Sequence, residues 1–133
     1  MRLTTKSEYT LLALIHLARH ARRGYVSLES ICRAHRIPKK YIEQLFMILR
    51  RTGFVRTRRG PDGGYALARP AKQVVIADII RLMDGALAPT ESVSTHYFSH
   101  TPLEGEKKLI RVMRDIRDYI AKRLEHLTLE NLV

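Results

Sequence analysis

The segment from residue 38 to residue 70, PKKYIEQLFMILRRTGFVRTRRGPDGGYALARP, determines the architecture of this chain. It begins with Pro38, a residue favoured at the start of a helix, and a helical pattern of apolar residues then runs as far as Gly53. Residues 54–58 and 65–68 have the composition of short strands, and a glycine-rich turn joins them. The segment therefore predicts a helix followed by a β-hairpin.

The predicted helix has one apolar face and one polar face. At about 100° per residue, its bulky apolar side chains fall within one arc and indicate a surface that faces the core. The opposite arc has Lys40, Glu43 and Met47 near its centre. A helix that enters the major groove of DNA presents such a face, and its N-terminal residues reach the base edges. The apolar set is Tyr41, Ile42, Leu45, Phe46, Ile48 and Leu49, and the polar set is Lys39, Lys40, Glu43, Gln44, Met47, Arg50 and Arg51.

Positive charge is concentrated in the same part of the chain. Residues 33–69 contain ten Lys and Arg against two acids, which places +8 of the chain's formal +11 in 37 of its 133 residues. Such a concentration is the electrostatic footprint of a surface that binds a polyanion. In the hairpin tip, RRGPDGG at residues 58–64, Arg59 suits the minor groove, and the glycines allow close approach to a phosphate. These features predict that the helix and the hairpin, which would form the wing of a winged helix, bind double-stranded DNA.

Three further helices are predicted before and after this segment. Residues 5–8, TKSE, have the form of a capping box that starts a helix to about residue 20, and that helix is apolar nearly all round, as a buried central helix would be. Ser27 can cap a helix of residues 28–35, and residues 75–84 predict another helix that ends at Gly85. Residues 86–102 show no clear period and are expected to form a loop or an irregular short helix.

A long charged helix is expected over residues 104–126. Its apolar residues recur at alternating steps of three and four and form a stripe only about 80° wide. Such a stripe needs another helix to bury it; a second copy of the chain would supply one, and packing onto its own domain is the alternative. The predicted dimerisation residues are Leu109, Met113, Ile116, Ile120, Leu124 and Leu127.

Composition argues against several other classes of protein. The longest apolar run, residues 9–18, is about half the length of a membrane span, and the arginines that follow it do not fit a signal-peptide cleavage site. A single cysteine excludes an internal disulfide and suits a reducing compartment, so a cytoplasmic protein with no membrane partner is expected. The sequence gives no indication of an enzyme, because it shows no activated nucleophile, no carboxylate pair and no phosphate-binding glycine loop.

Four short motifs resemble the Rrf2 family of bacterial transcription regulators. They are MRLTTK at residues 1–6, YIEQLF at 41–46, RGPDGGY at 59–65 and LTLENLV at 127–133. The resemblance implies a dimeric winged helix-turn-helix protein, generally a repressor, with a sensor loop before a long dimerisation helix. It also implies that Glu43 reads a base, because the matching glutamate does so in a relative; the alternative is an ion pair with Lys39.

Many members of this family hold an iron–sulfur cluster through three cysteines of the sensor loop. Residues 90–101, TESVSTHYFSHT, contain no cysteine. Because even mixed cluster sites keep two thiolates, neither a cluster nor any other cofactor is expected. Glu8 matches a cluster ligand of some relatives, and without the cysteines its predicted role is helix capping. Cluster-free relatives respond through a small molecule or a partner protein.

Other sensing chemistries stay open. Cys32 is predicted to be a small core residue, although basic residues at positions 33, 36 and 39 could lower its pKa and make a redox-sensing thiol. His96 and His100 are four residues apart, a spacing that suits a metal only on a helix, so loop packing is their expected role. Tyr97, Phe98 and these histidines are candidates to line a small pocket against the dimer helix.

The sequence therefore predicts a mainly α-helical protein with a small β-hairpin wing. It divides into a winged helix-turn-helix domain (residues 1–85), a sensor loop (86–103) and a dimerisation helix with its tail (104–133). The leading hypothesis is a sequence-specific DNA-binding repressor that acts as a homodimer on a palindromic operator. A regulator controlled by a docked metabolic enzyme is one alternative, and a nonspecific nucleoid or RNA-binding protein, which the acidic Glu43 argues against, is another. The candidate DNA-binding residues are Arg2, Thr4, Pro38, Lys39, Lys40, Tyr41, Glu43, Gln44, Arg50, Arg58, Arg59, Gly60 and Gly63.

Overall fold

The structure is a computed structural model that describes residues 1–133. It is mainly helical with one small antiparallel sheet, which confirms the predicted fold class. None of the helices combines the length and the hydrophobicity that crossing a membrane requires. The helices are α1 (Thr5–Arg19), α2 (Leu28–His35), α3 (Lys39–Arg51), α4 (Ile76–Asp84) and α5 (Lys107–Glu125), and the strands are β1 (Val55–Arg58) and β2 (Gly64–Leu67).

Helix α1 lies at the centre of the core. Its residues Ala13, Leu14 and Leu17 are buried among the other helices in one group of 19 buried side chains. The helix is not buried on all sides as predicted, because Leu12 is 39 % exposed and Leu11 is half-buried. The hairpin, α2, α3, α4 and the residues after α5 pack around α1, and they leave one side of it at the surface.

The start of α1 also differs from the prediction. Thr4, rather than Thr5, is the N-cap residue, and no side chain caps the helix. Instead the N–H and the hydroxyl of Thr4 both donate to the carboxylate of Asp84 at the end of α4. Burial alone would raise the pKa of Asp84, but these hydrogen bonds, together with the nearby Ser7 hydroxyl and the charge of Lys6, hold that pKa below its ordinary value. The predicted capping box is therefore wrong, and the N-terminal arm is fixed to α4.

Helices α2 and α3 form the helix-turn-helix pair. Ser27 caps α2 as predicted, since its Oγ accepts the N–H of Ser30 at 3.2 Å. Arg36 ends the helix with φ of 55°, in the left-handed region that a residue with a side chain adopts only at a cost. Ile37 then buries its side chain in the core. This sharp turn over residues 36–38 sets the direction in which α3 begins.

The wing is the hairpin of β1 and β2, with a register that pairs Arg58 with Gly64. Val26, just before α2, pairs with Tyr65 through backbone hydrogen bonds of 2.8 and 2.7 Å and adds a partial third strand that was not predicted. Two wing positions require glycine: a Cβ on Gly63 would overlap the carbonyl oxygen of Arg58, and one on Gly64 would overlap that of Val26.

The residues that follow α5 return to the central core. Leu129 is fully buried there, and its N–H donates to the carbonyl oxygen of Val74 at 3.0 Å. The N–H of Ile76 donates in turn to the carbonyl oxygen of Leu127 at 2.9 Å. Residues from both sides of the predicted boundaries at 85/86 and 103/104 therefore contribute to the central core.

Helix α5 carries two apolar stripes where the sequence predicted one. The inner stripe packs against the chain itself, and every member of the outer stripe is at least 40 % exposed. The predicted stripe combined the two, because a step of four residues leads from Leu109 or Ile116 of the outer stripe into the inner one. Four of the six predicted dimerisation residues are thus used within the chain. The inner stripe is Ile110, Met113, Ile120, Leu124 and, just past the helix, Leu127; the outer stripe is Leu109, Val112, Ile116 and Tyr119.

Candidate nucleic-acid interface

The packing of α3 determines which of its side chains face solvent. Ile42, Leu45 and Leu49 are buried in the core, so the opposite side of the helix is free. Phe46 is also buried, and its ring meets the Tyr65 ring edge to face at 4.7 Å, which holds the wing against α3. The exposed set is the polar face that helical periodicity predicted, namely Lys39, Lys40, Glu43, Gln44, Met47, Arg50 and Arg51.

Glu43 is the one acid of α3, and it forms no ion pair within the chain. The predicted alternative, a pair with Lys39, is not formed, because Lys39 Nζ lies 3.3 Å from Oε1 of Glu29 on α2 instead. Exposed pairs of this kind contribute no more than about 1 kcal/mol, so Lys39 is easily released to a phosphate. An unpaired carboxylate near the N-terminus of α3 can accept a hydrogen bond from a base edge.

The N-terminal end of α3 is held by Pro38 and Tyr41. The carbonyl oxygen of Pro38 accepts the N–H groups of Tyr41 and Ile42, both at 3.1 Å. Tyr41 is half-buried, and its ring lies edge-on to the Tyr9 ring of α1, with centroids 5.3 Å apart. Tyr41 therefore packs against the core and still reaches the surface. Arg50 is exposed in the last turn of α3, far from the N-terminal residues that reach base edges.

The two arginines of the wing tip differ in their contacts with the rest of the chain. Arg58 is held in place: its Nη2 donates to the carbonyl oxygen of Asp62 at 2.7 Å, and its guanidinium lies 4.4 Å from the centroid of the Tyr25 ring. Arg59 is exposed and forms no hydrogen bond or ion pair within the chain. Arg59 is therefore the arginine that is free to enter a groove, while Arg58 supports the tip.

Two predicted DNA contacts have roles in the fold. Gly63 is half-buried by the turn that excludes its Cβ, and Thr4 bonds to Asp84. Gly60 is different, because it is exposed, with φ of 108° and open space where a Cβ would lie. Arg2 lies in the exposed arm before α1. Gly60 and Arg2 therefore stay available to a ligand.

Comparison with known proteins identifies this architecture. A family model, Rrf2, described as iron-dependent transcriptional regulator, matches residues 3–133. The chain belongs to the Rrf2 family. The HTH-type transcriptional regulator IscR of Photorhabdus laumondii is 35 % identical over 100 % of this chain and 79 % of its own length. The HTH-type transcriptional regulator CymR of Bacillus subtilis is 33 % identical over 99 % of this chain and 89 % of its own length.

Solved structures of Rrf2 proteins agree with this assignment. The structure of CymR, the global cysteine regulator of B. subtilis, has a TM-score of 0.79 at 32 % identity and covers 99 % of this chain and 95 % of its own. The structure of IscR from T. potens has a TM-score of 0.72 at 30 % identity, covering 99 % and 85 %. This Rrf2 chain is therefore a DNA-binding transcription regulator of the winged-helix type.

The donors of this Rrf2 chain do not fit an iron–sulfur cluster. The one thiol is Cys32 on α2, and the segment between α4 and α5 offers only hydroxyls, imidazoles and carboxylates. No three His, Cys, Asp or Glu side chains come together in a group that could hold a metal ion. Iron–sulfur clusters depend on several thiolates, and one thiol on another element does not supply them.

Cys32 packs against the core, which confirms its predicted role. The alternative of a reactive thiol requires a lowered pKa. Burial instead raises the pKa of Cys32 above its ordinary value, and the nearby charge of Lys39 offsets this only in part. Because the thiolate is the reactive form, this direction of the pKa shift disfavours the redox-sensing alternative.

The structure matches the predicted pocket in the sensor loop for only two of its four residues. A cavity of about 10 Å³ lies between the loop and α5, with room for one water at most. His96 and Tyr97 line it, but Phe98 and His100 do not. Phe98 is 54 % exposed. His96 and His100 are both in irregular chain, so they lack the helical geometry that a metal would need.

Three histidines at the junction of α1 and α2 were not predicted to interact. His16 Nδ1 lies 3.0 Å from His35 Nε2, and the His20 ring stacks on the His16 ring at 4.2 Å. His20 Nδ1 donates to the carbonyl oxygen of His16 at 2.8 Å. Burial lowers the pKa of His16, and His20, His35 and Arg19 lower it further. The spacing of four residues between His16 and His20 was a signal for their contact. The contact with His35 had no such signal, because His35 lies on another helix.

Proposed function

We propose that this chain is a sequence-specific regulator that binds a palindromic operator as a homodimer and represses transcription. The observation that carries the proposal is the unpaired carboxylate of Glu43 on the exposed face of α3, beside Lys40 and Gln44. Lysines attract phosphate in any sequence, whereas a carboxylate repels phosphate and is favourable only opposite a donor such as cytosine N4. A surface for nonspecific binding gains nothing from such a group.

The proposed contacts divide by what they recognise. Lys40, Glu43 and Gln44 lie in the N-terminal half of α3, the part of a recognition helix that reaches base edges in the major groove. Arg59, unpaired at the wing tip, suits the minor groove. Arg50 lies far from the N-terminal turn and suits a phosphate, which sets position without reading sequence.

The outer stripe of α5 is the proposed dimer interface. Its four large apolar side chains are spaced as one side of a coiled coil and face solvent in the single chain. Two copies related by a twofold axis would present their α3 helices to two half-sites, with centres about one helical turn, or a small multiple of it, apart. The proposed dimerisation residues are Leu109, Val112, Ile116 and Tyr119.

The proposed regulator senses its signal without an iron–sulfur cluster, because its thiol and its loop donors do not suit one. The signal is then a small molecule or a partner protein. Control by a docked partner protein is favoured by Tyr97 and Phe98, two large apolar residues of the loop that are 48 % and 54 % exposed. Iron and acid-labile sulfide in stoichiometric amounts after anaerobic purification would contradict cluster-free sensing.

Selection of bound duplexes from a random DNA library tests the core of the proposal. We expect the wild-type chain to enrich a palindromic motif, and Glu43→Ala to enrich one that is degenerate at a symmetric pair of positions. Glu29→Ala is the control, because it removes the same charge from α2, outside α3. A wild-type pool without any enriched motif would indicate a nonspecific nucleic-acid-binding protein.

A further inference from the structure

A groove of about 350 Å³ lies where the wing meets the end of α1. This volume lies within the range of small-molecule sites in proteins. Most of the lining is apolar, no acidic residue contributes to it, and its charged members are Arg56 and Arg69. The apolar part comes from the end of α1, from β2 and from the residues just after β2, and consists mainly of Leu17, Ala21, Ala66, Leu67, Ala68, Pro70 and Ala71.

Neither arginine of the groove has an acidic partner. Arg69 is held by its Nε, which donates to the carbonyl oxygen of Gly53 at 3.3 Å, and by stacking at 4.3 Å on the Phe54 ring. Its remaining N–H groups form no hydrogen bond within the chain. The Arg56 guanidinium lies 5.7 Å from the centroid of the Tyr25 ring and forms no hydrogen bond. Two guanidiniums beside an apolar surface match an anion that carries an apolar body.

The groove is connected to the wing tip. Tyr25 lines the groove, and its ring also supports the guanidinium of Arg58 at 4.4 Å. Arg58 in turn donates to the carbonyl oxygen of Asp62 in the tip at 2.7 Å. A ligand that shifts the Tyr25 ring therefore changes the support of the tip that carries Arg59. A DNA phosphate would be a poorer occupant, because it has no apolar body to cover the lining.

We propose that this groove binds a small carboxylate with an apolar body, for which benzoate serves as the probe, and that its occupancy changes DNA affinity through the wing. The binding step depends only on the groove, whereas the regulatory step rests on the proposed function. The two steps are tested separately, so that failure of one is not mistaken for failure of the other.

Titration of the free chain with benzoate, followed by ¹H–¹⁵N NMR, tests the binding step. We expect saturable shifts at the amides of Gly24, Tyr25 and Ala68. Benzamide has nearly the same shape without the charge and should bind about tenfold more weakly, as the loss of one charge-assisted contact implies. No saturable shift, or equal binding of the two compounds, would overturn the inference.

Three variants locate the site. Arg56→Gln should weaken benzoate binding about tenfold, and Ala68→Trp, which fills the groove from an exposed position, should abolish it. Arg114→Gln removes an exposed arginine of α5 and should leave benzoate binding unchanged. Circular dichroism checks that each variant folds. Benzoate shifts that persist unchanged in both Arg56→Gln and Ala68→Trp would place the ligand elsewhere and overturn the inference.

DNA binding in the presence of benzoate tests the regulatory step. We expect saturating benzoate to change operator affinity severalfold in the wild-type chain and not in Ala68→Trp. Benzoate that binds without changing operator affinity would overturn the regulatory step. If Arg56→Gln weakens binding to every DNA sequence alike and benzoate never binds, the arginines belong to the DNA interface and the inference is wrong. Because the titration uses no DNA, loss of sequence-specific binding would not affect its outcome.

Discussion

A carboxylate that faces DNA is repelled by every nearby phosphate, whatever the sequence. In the proposed complex Glu43 takes this position without an ion pair, since Lys39 pairs with Glu29 instead. The repulsion is offset only where a base donor meets the carboxylate. Glu43 is therefore expected to act by weakening binding to wrong sequences more than to the right one.

We expect Glu43→Ala to relax discrimination at one base pair of each half-site by about 1–3 kcal/mol, while nonspecific affinity holds or rises. Glu29→Ala should raise nonspecific affinity with no change in base preference. Lys40→Ala should weaken binding to all sequences alike and reduce the salt slope by about one. Fluorescence anisotropy with operator, mismatched and random duplexes at several salt concentrations measures these effects. An unchanged ratio of operator to random affinity in Glu43→Ala would show that Glu43 reads no base.

We expect His16, at the junction of α1 and α2, to make stability depend on pH. In the folded chain, burial, and then His20, His35 and Arg19, lowers the pKa of His16 below its ordinary value of 6.5. Below pH 6.5 the unfolded chain therefore binds more protons at this residue than the folded chain does. The contribution of neutral His16 to the free energy of unfolding is fully present above pH 6.5, and it is lost as the pH falls from there through the pKa of the folded chain. We expect the free energy of unfolding to decrease over this range.

Urea unfolding at about pH 7.5 and about pH 5.5 measures that decrease. His16→Gln removes the titrating imidazole and should reduce the difference between the two pH values. His96→Gln removes an exposed loop histidine and should leave the difference as in the wild type. Equal pH dependence in the wild type and in His16→Gln would contradict this role of His16.

Among the secondary-structure elements, α5 is the one whose two apolar surfaces face different partners. Its inner stripe completes the fold of its own chain, and its outer stripe is available to another copy. The proposed dimer therefore does not compete with the fold for the same side chains. A substitution on each stripe should separate the two roles.

We expect Ile116→Glu to give folded monomers with much weaker operator affinity, because a charge in the centre of the outer stripe must be desolvated on pairing. Ile120→Glu places the same charge on the inner stripe, where Ile120 packs against the core, and should lower the free energy of unfolding. Light scattering and urea unfolding distinguish these results. A wild-type chain that is monomeric at micromolar concentration would contradict the proposed interface.

For the protein taken as one unit, periodicity and local stop signals predicted most elements to within a few residues. Ser27 marks the start of α2, Pro38 that of α3, and Gly85 follows α4 directly. The polar face of α3 was also predictable, because it follows from the helical period alone. These features depend on residues close together in the chain.

The features that were missed join residues far apart in the chain. Val26 pairs with Tyr65, Lys39 pairs with Glu29 of the preceding helix rather than with its own-helix neighbour Glu43, and the two stripes of α5 differ only in what packs on them. A local pattern gives the direction of a side chain but not its partner. For the same reason the wing groove and the histidine junction could be recognised only in the folded chain.

Leu129 offers a test of how the core is completed. Because it is fully buried, Leu129→Ala should lower the free energy of unfolding by about 2–5 kcal/mol. Val133→Ala truncates an exposed side chain of the same tail and should change stability by no more than about 0.5 kcal/mol. Urea unfolding of both variants measures the difference. A similar small effect in the two variants would show that the tail does not complete the core.

The burial of Leu129 beside α1 also orders the events of protein synthesis. Helices α1 to α4 leave the ribosome first, but their core keeps a gap until the residues after α5 have emerged. The outer stripe of α5 has by then been made as well. We therefore expect a nascent chain to complete the core of its DNA-binding domain and its proposed pairing surface at nearly the same stage of synthesis, which shortens the time in which a half-folded chain exposes an apolar stripe.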